Sequence, residues 1–128
     1  MPACLPALTS STVAPAADNA AIARAFADHR SELQVTAQGR VERLLSDDTS
    51  ATSTHQRFIL KLDDLAQTLL ITNNVSVGKR VPVAAGDALV VHGEFIWNDQ
   101  GGLVHFTHHD PDGSHESGWI LRDGVRYE

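Results

Sequence analysis

The stretch from Gly93 to Pro111 constrains the fold of this chain more than any other. Apolar and polar residues alternate over residues 88–97 and again over residues 103–107, and the turn-forming residues 98–102 separate the two runs. Two alternating runs on either side of a glycine-containing turn are typical of a β-hairpin. The sequence therefore predicts a hairpin with a long first strand, which leads into an acidic turn rich in histidine.

Three further segments have the pattern of strands. Residues 34–41 alternate around Gly39, and a glycine inside a strand often marks a bulge or a sharp bend. Residues 55–62 alternate as well, whereas residues 68–72 are nearly all apolar, which predicts a short strand covered on both faces. The polar residues 46–54 are predicted to form a loop.

A helix and a small hairpin are predicted at the two ends of the folded part. Asp18 or Asn19 can cap a helix, and apolar residues recur at helical spacing along residues 19–31. At the other end, an Asp-Gly pair lies between two short apolar runs within residues 119–127. That pattern is typical of a tight hairpin.

These elements define the expected fold. It is mainly β: a small OB-like five-stranded barrel with an N-terminal helix and a C-terminal hairpin, in which a bent first strand serves both halves of the barrel. Residues 1–17 are expected to be a disordered N-terminal tether, and residues 18–128 a single OB-like domain that includes the helix. A β-sandwich is the structural alternative, but it needs more strands than the sequence offers.

The charge balance narrows the range of partners. The 128 residues contain ten Lys and Arg against sixteen Asp and Glu, a net charge of −6 with neutral histidines. A general nucleic-acid binder needs a cationic surface to displace counterions, so nucleic acid is not an expected partner. Acidic substrates and anionic membranes are disfavoured for the same reason. No run approaches the ~18 apolar residues that span a bilayer.

The N-terminal residues have the pattern of a bacterial lipoprotein processing site, because the small residue Ala3 directly precedes Cys4, the single cysteine. A tract rich in Ala, Pro, Ser and Thr follows up to Ala17, and such tracts act as flexible tethers. No signal peptide is present in the chain as given. This interpretation predicts an exported protein of the periplasm, cell envelope or exterior, which meets a membrane only through lipid on Cys4. The alternative is an ordinary disordered N-terminus with a chance cysteine.

Three motifs stand out along the chain: HQRFIL at residues 55–60, GEFIWN at residues 93–98 and HFTHHDP at residues 105–111. Together they resemble an uncharacterised bacterial family, domain of unknown function 3465, over about residues 31–128. The resemblance implies a small protein made with an N-terminal export signal, and it implies no known activity. The family tends to have histidine where this chain has Asn73, so a family metal site that used this histidine would lack a ligand here.

The histidine-rich turn is the candidate site. His105, Thr107 and His109 would point the same way if the strand continued that far, and histidines on one face of a strand can chelate one zinc ion. A histidine at the head of a neighbouring strand and a carboxylate from the turn could complete the coordination. The ligand or metal candidates are therefore His55, His105, His108, His109, Asp110 and His115, with zinc or another transition metal as the candidate cofactor.

Two alternatives to a metal site remain open for these residues. The histidines can instead form hydrogen bonds that fix the backbone of a turn, or they can act as metal-free acid–base catalysts. Trp97 and Trp119 can stack on a ligand, and packing in the core is the alternative for both.

Two interpretations of function follow. The first is an exported binding or interaction module without enzymatic activity, whose ligand is an unidentified protein, peptide or small molecule. The second is a metal-dependent hydrolase, with phosphodiesters as candidate substrates. In that enzyme the histidines would bind the metal, and Asp110 or Glu94 would act as base toward a metal-bound water. The metal content of protein purified without a histidine tag distinguishes the two.

Overall fold

The structure is a computed structural model that describes residues 16–128. This part of the chain contains one helix and seven strands. The helix is α1 (Asn19–Ala27), and the strands are β1 (Leu33–Thr49), β2 (Thr54–Leu62), β3 (Thr68–Asn74), β4 (Ala88–Ile96), β5 (Leu103–His105), β6 (Trp119–Arg122) and β7 (Val125–Tyr127). No helix in this part is long and apolar enough to cross a membrane. Cys4 and most of the predicted tether lie outside the described residues.

Five of the strands close into a ring in the order β1-β2-β3-β5-β4, with β4 pairing back to β1. Neighbouring strands of the ring are antiparallel except β3 and β5, which run parallel. The mainly β, OB-like fold predicted from the sequence is thereby confirmed. The Asp-Gly pair predicted a hairpin, and β6 and β7 form it. This hairpin extends the sheet beyond β4.

The first strand bends and serves two partners, as its interior glycine predicted. Residues 33–40 pair with β4 and residues 39–49 pair with β2, so the strand changes partners at Gly39. A Cβ at this position would collide with the carbonyl oxygen of Lys61. The expected loop over residues 46–54 is wrong in its first half, because the ladder with β2 continues through two bulges to the end of β1. Cross-strand pairing here outweighs the low strand propensity of polar residues.

The core fills the ring with the residues that the alternation selects. Phe58, Leu60 and Leu62 of β2 are fully buried, and Ile22 of the helix joins the same cluster. The prediction that β3 is covered on both faces is wrong, because Leu70 points away from the core and is partly exposed. The outside of the ring is therefore a surface on which side chains from several strands can meet a ligand.

The helix is fixed at its start and stopped by one residue. Asp18 caps it, and its side chain accepts the Ala21 N–H at 3.0 Å. Asn19 bonds both backbone groups of Gln38, which attaches the helix to β1. The helix ends at residue 27 instead of the predicted residue 31, because His29 takes a left-handed φ of +53° that does not continue an α-helix.

Candidate functional site

The histidine loop, residues 106–118, connects β5 to β6 and holds four of the six ligand or metal candidates. Its first residue, Phe106, has a φ of +54°, a left-handed conformation that a bulky side chain rarely adopts. The strand therefore ends at His105. Thr107 is buried while His109 is exposed. The condition that His105 and His109 lie on one face of a continuing strand is thus not met.

Asp110 organises this loop from the inside. Its carboxylate accepts hydrogen bonds from the N–H of Asp112 at 2.9 Å, the hydroxyl of Ser114 at 2.9 Å and the N–H of His115 at 2.7 Å. Burial of the side chain, which is 6% exposed, opposes ionisation, but these bonds outweigh it and hold the pKa of Asp110 well below its usual range. A carboxylate held in this way stabilises a turn and is a poor proton acceptor near neutral pH.

Two imidazole rings sandwich the phenyl ring of Phe106. The His105 centroid is 4.0 Å from the phenyl centroid and the His115 centroid is 3.9 Å from it, with interplanar angles of 17° and 5°. His108 meets His115 edge-on at 5.2 Å. The His105 Nε2–H donates to the Glu94 carboxylate at 2.7 Å. The structure thus brings three of the predicted histidines together around an aromatic ring.

The ring nitrogens of His108 and the two other histidine candidates, His109 and His55, are directed elsewhere. His108 is buried, and its Nδ1–H donates to the carbonyl oxygen of His109 at 2.9 Å. The exposed ring of His109 lies 3.2 Å from the Ser117 hydroxyl. His55 lies on β2, two strands away from His105, a spacing of about 10 Å. Nowhere in the described part of the chain are three His, Cys, Asp or Glu side chains grouped so that they could hold a metal ion.

A buried polar network fixes the start of the loop to the ring. The Thr107 hydroxyl donates to the Asn73 side chain at 2.9 Å, and the Asn73 amide donates to Gln56 at 3.2 Å. Gln56 bonds both backbone groups of Val81, at 2.6 Å and 3.0 Å. Asn73 is 1% exposed. The position where the resembled family tends to have histidine is therefore an interior hydrogen-bonding position in this chain.

His92 is a residue of this region that the sequence analysis missed. Its Nε2–H donates to the Glu116 carboxylate at 2.7 Å, so its Nδ1 accepts from the Thr36 hydroxyl at 2.8 Å. A hydroxyl, an imidazole and a carboxylate in line are the groups of a nucleophile–base relay. Here, however, Thr36 and His92 are buried and only Glu116 is open to solvent. The hydrogen bonds that link Thr36, His92 and Glu116 instead anchor the far end of the histidine loop to β4. The one signal for them in the sequence was a histidine inside an apolar strand.

Both tryptophans contact side chains of the protein itself. Trp119 is 5% exposed; its ring centroid lies 5.4 Å from that of His92, and the Arg126 guanidinium lies 4.7 Å from it. The Trp97 indole N–H donates to a helix carbonyl at 3.0 Å, and the ring of His29 stacks on it at 4.2 Å. The indole rings of Trp97 and Trp119 therefore already stack on side chains of the protein.

A row of aliphatic side chains crosses the outside of the ring. The strand register aligns Ile59 of β2 with Leu70 of β3, Leu70 with Leu103 of β5, and Leu103 with Ile96 of β4. These four residues, called the outer row below, are all partly exposed. No single segment of the sequence contains the row, because the parallel pairing of β3 with β5 creates it.

A cleft of about 240 Å³, called the outer cleft below, adjoins the outer row. Ile59 and Leu70 line it together with Leu45 of β1. Its rim includes Arg43 and residues of the loop between β4 and β5, among them Gln100. The outer cleft thus has an apolar floor and a polar rim, which is the composition of a small binding pocket.

Comparison with known proteins gives a family and nothing more specific. The model of the family described as "Protein of unknown function (DUF3465)" matches residues 5–128. No curated protein matches the sequence.

Proposed function

We propose, since the chain belongs to the DUF3465 family of proteins of unknown function, that it is a small exported binding module without enzymatic activity. The observation that carries the proposal is the outer row with its adjoining cleft. Contiguous apolar surface marks interaction sites more often than scattered apolar residues do, and the partly exposed side chains of the outer row are contiguous.

The position of this surface also supports binding. OB-folds bind oligomeric ligands on the outside of the ring, next to the loop that joins the fourth strand to the fifth. The outer cleft lies against that loop, through Asn98, Gln100 and Gly102. This step rests on analogy between folds, and the specific side chains of the outer row carry the proposal for this chain.

The chemistry of the histidine loop favours a structural role over catalysis. The Asp110 carboxylate is committed to three hydrogen bonds, Glu94 is paired with His105, and Glu116 is paired with His92. The candidate bases of a hydrolase are thus engaged within the loop and its anchors. A non-enzymatic module needs only that this loop keeps its shape beside the binding surface.

Two variants test the binding surface. The probes are N-acetyl-leucine amide, maltotriose and a thymidine trinucleotide, each titrated while backbone amide resonances are recorded. We expect at least one probe to shift the resonances of the outer row, Leu70→Asp to abolish the shifts, and Val125→Asp to preserve them. Val125 is the matched control because it is half exposed on β7, outside the outer row. Shifts confined to other surfaces, or no shifts at millimolar probe, would contradict the proposal.

A separate assay tests the absence of enzymatic activity. Protein purified without a histidine tag is analysed for zinc, copper and nickel and is incubated with bis(4-nitrophenyl) phosphate and each metal. We expect substoichiometric metal and no turnover above the free metal. Stoichiometric metal with turnover that is lost in His105→Gln would establish the hydrolase instead.

The exported location is part of the proposal and rests on the N-terminal sequence and the resemblance. We propose that Cys4 carries lipid and that the following tract tethers the domain to the envelope. Radiolabelled palmitate incorporation in the bacterial host, with Cys4→Ser as control, tests this. Equal labelling of both proteins, or recovery of the protein in the cytoplasmic fraction, would contradict it.

A further inference from the structure

We propose that the ligand of the outer row is an extended polypeptide segment that inserts an aliphatic side chain into the outer cleft and places a carboxylate against Arg43. This inference rests on the binding function proposed above and names the class of ligand. Three features of the outer surface carry it: the size of the cleft, the arginine that lines it, and the absence of aromatic rings from its lining.

The size of the outer cleft fits one side chain better than a whole small molecule. Sites for drug-sized ligands have volumes of about 300–1,000 Å³, and the outer cleft has about 240 Å³. Leu45, Ile59 and Leu70 give it an aliphatic floor. Burying an aliphatic side chain there therefore costs less desolvation free energy than burying a polar one. The outer row then continues as an apolar track beyond the cleft.

The cations beside the cleft give the charge of the partner. Within residues 16–128, Arg43 takes part in no side-chain hydrogen bond and no ion pair. Arg57 bonds the Ser46 carbonyl oxygen through Nε, which leaves its terminal nitrogens for other partners. A guanidinium binds a carboxylate through two parallel hydrogen bonds. Glu42 also lines the cleft, which makes a cationic peptide the informative rival in the experiment below.

The lining favours polypeptide over nucleic acid. Recognition of bases relies on aromatic stacking, and no aromatic side chain lines the outer cleft. The net charge of −6 also opposes nucleic acid. An extended peptide presents alternate side chains at about 7 Å intervals. It can therefore supply an aliphatic group and a carboxylate to neighbouring positions on one face, and its backbone offers groups that the amide of Gln100, another lining residue, can bond.

Fluorescence anisotropy with three labelled probes tests the inference. The first is a ten-residue peptide with the repeat leucine-serine-aspartate-serine, which places leucine and aspartate on one face of an extended chain. The others are the same peptide with lysine for aspartate and a ten-nucleotide oligothymidylate. We expect the aspartate peptide to bind the wild type and to bind Leu70→Asp at least about tenfold more weakly. Arg43→Gln should weaken binding and reduce its dependence on salt. Val125→Asp is the control that keeps both affinity and salt dependence.

The outcomes separate the inference from the function on which it rests. If the lysine peptide or the oligothymidylate binds best and this binding is lost in Leu70→Asp, the surface binds but the inferred class of ligand is wrong. If no probe binds in a way that Leu70→Asp alters, the inference fails, and the amide-shift experiment with small probes decides the proposed function separately. Arg43→Gln changes an exposed residue, so it remains informative even if Leu70→Asp does not fold.

Discussion

The His92 imidazole donates a hydrogen bond of 2.7 Å to Glu116, and this bond ties the last part of the histidine loop to the middle of β4. The two ends of the bond differ in exposure, since the His92 side chain is 7% exposed and that of Glu116 is 55% exposed. Loss of His92 and loss of Glu116 should therefore lower the free energy of unfolding by different amounts. Water can replace the carboxylate at the imidazole, but it cannot easily replace the buried imidazole at Thr36.

We expect Glu116→Ala to lower the free energy of unfolding by about 0.5–1.5 kcal/mol and His92→Leu to lower it by about 1–3 kcal/mol, because the latter leaves the buried Thr36 hydroxyl without its partner. Urea unfolding of both variants measures the difference. Asp99→Ala, which removes an exposed carboxylate outside the loop, is the control for a general charge effect. A larger loss from Glu116→Ala than from His92→Leu would show that the bond does not have this geometry.

Phe106 gives a test of the left-handed backbone at the start of the histidine loop. Glycine adopts a positive φ freely, whereas alanine pays about 1–2 kcal/mol for it. We therefore expect Phe106→Gly to be more stable than Phe106→Ala by about 1 kcal/mol, although both lose the stacking on His105 and His115.

The matched control for this pair is Phe26, which lies in the last turn of α1. In a helix the order reverses, and Phe26→Ala should be more stable than Phe26→Gly by about 0.5–1 kcal/mol. Urea unfolding of the four variants provides both comparisons. The same order at both positions would mean that Phe106 does not have a left-handed conformation in solution.

The network around Gln56 should be among the most sensitive polar features of the protein. Gln56→Leu keeps the volume but leaves the Val81 N–H without its partner in the interior. It also removes one of the two partners of the Val81 carbonyl oxygen and of the Asn73 amide. We expect a loss of about 2–4 kcal/mol in the free energy of unfolding. Gln34→Leu, at an exposed position on β1, is the control and should change stability by less than about 0.5 kcal/mol. Similar losses for the two variants would contradict the buried network.

Acid should destabilise the fold through Asp110. Its pKa is lowered in the folded state, so at low pH the unfolded chain binds a proton that the folded chain still excludes. The stabilisation is complete above the ordinary aspartate pKa of about 4 and is lost progressively as pH falls below that value. The lowered pKa values of Asp47 beside Arg80 and of Asp87 beside Arg122 act in the same direction.

Urea unfolding between about pH 6 and about pH 2 measures this effect. Asp110→Asn should be less stable than the wild type at pH 6 and should lose less stability on acidification. Asp99→Asn is again the control, and its pH dependence should follow the wild type. A wild type whose stability does not fall below pH 4 would contradict the hydrogen bonding described for Asp110.

The fold was predictable where the pattern is local. Inward positions such as Phe58, Leu60 and Leu62 alternate along one strand, so their burial follows from the spacing alone. The end of β5 was not predictable, because nothing in the residue type of Phe106 signals a positive φ. Polar composition likewise did not reveal that β1 continues past residue 46, because that depends on pairing with β2.

The candidate site was predictable as a place in the sequence, but not in its geometry. The crowding of His105, His108 and His115 follows from their closeness along the chain, and the structure brings them together. The partner of His92, in contrast, is supplied by a loop that returns to β4 from further along the chain. The outer row depends on the register of four strands, including one parallel pair, and register cannot be read from a single sequence.

Two long-range seams close the ring. One joins β1 to β4, where Leu33 pairs with the distant Phe95, and the other joins β3 to β5 through only two residue pairs. Because closing a long segment costs more chain entropy than closing a turn, we expect these seams to form last and to open first. An open seam would free two strand edges at once, and free edges pair readily with other chains. Transient opening of a seam, at the short β3–β5 ladder above all, is therefore the step at which one molecule of this protein could begin to aggregate with another.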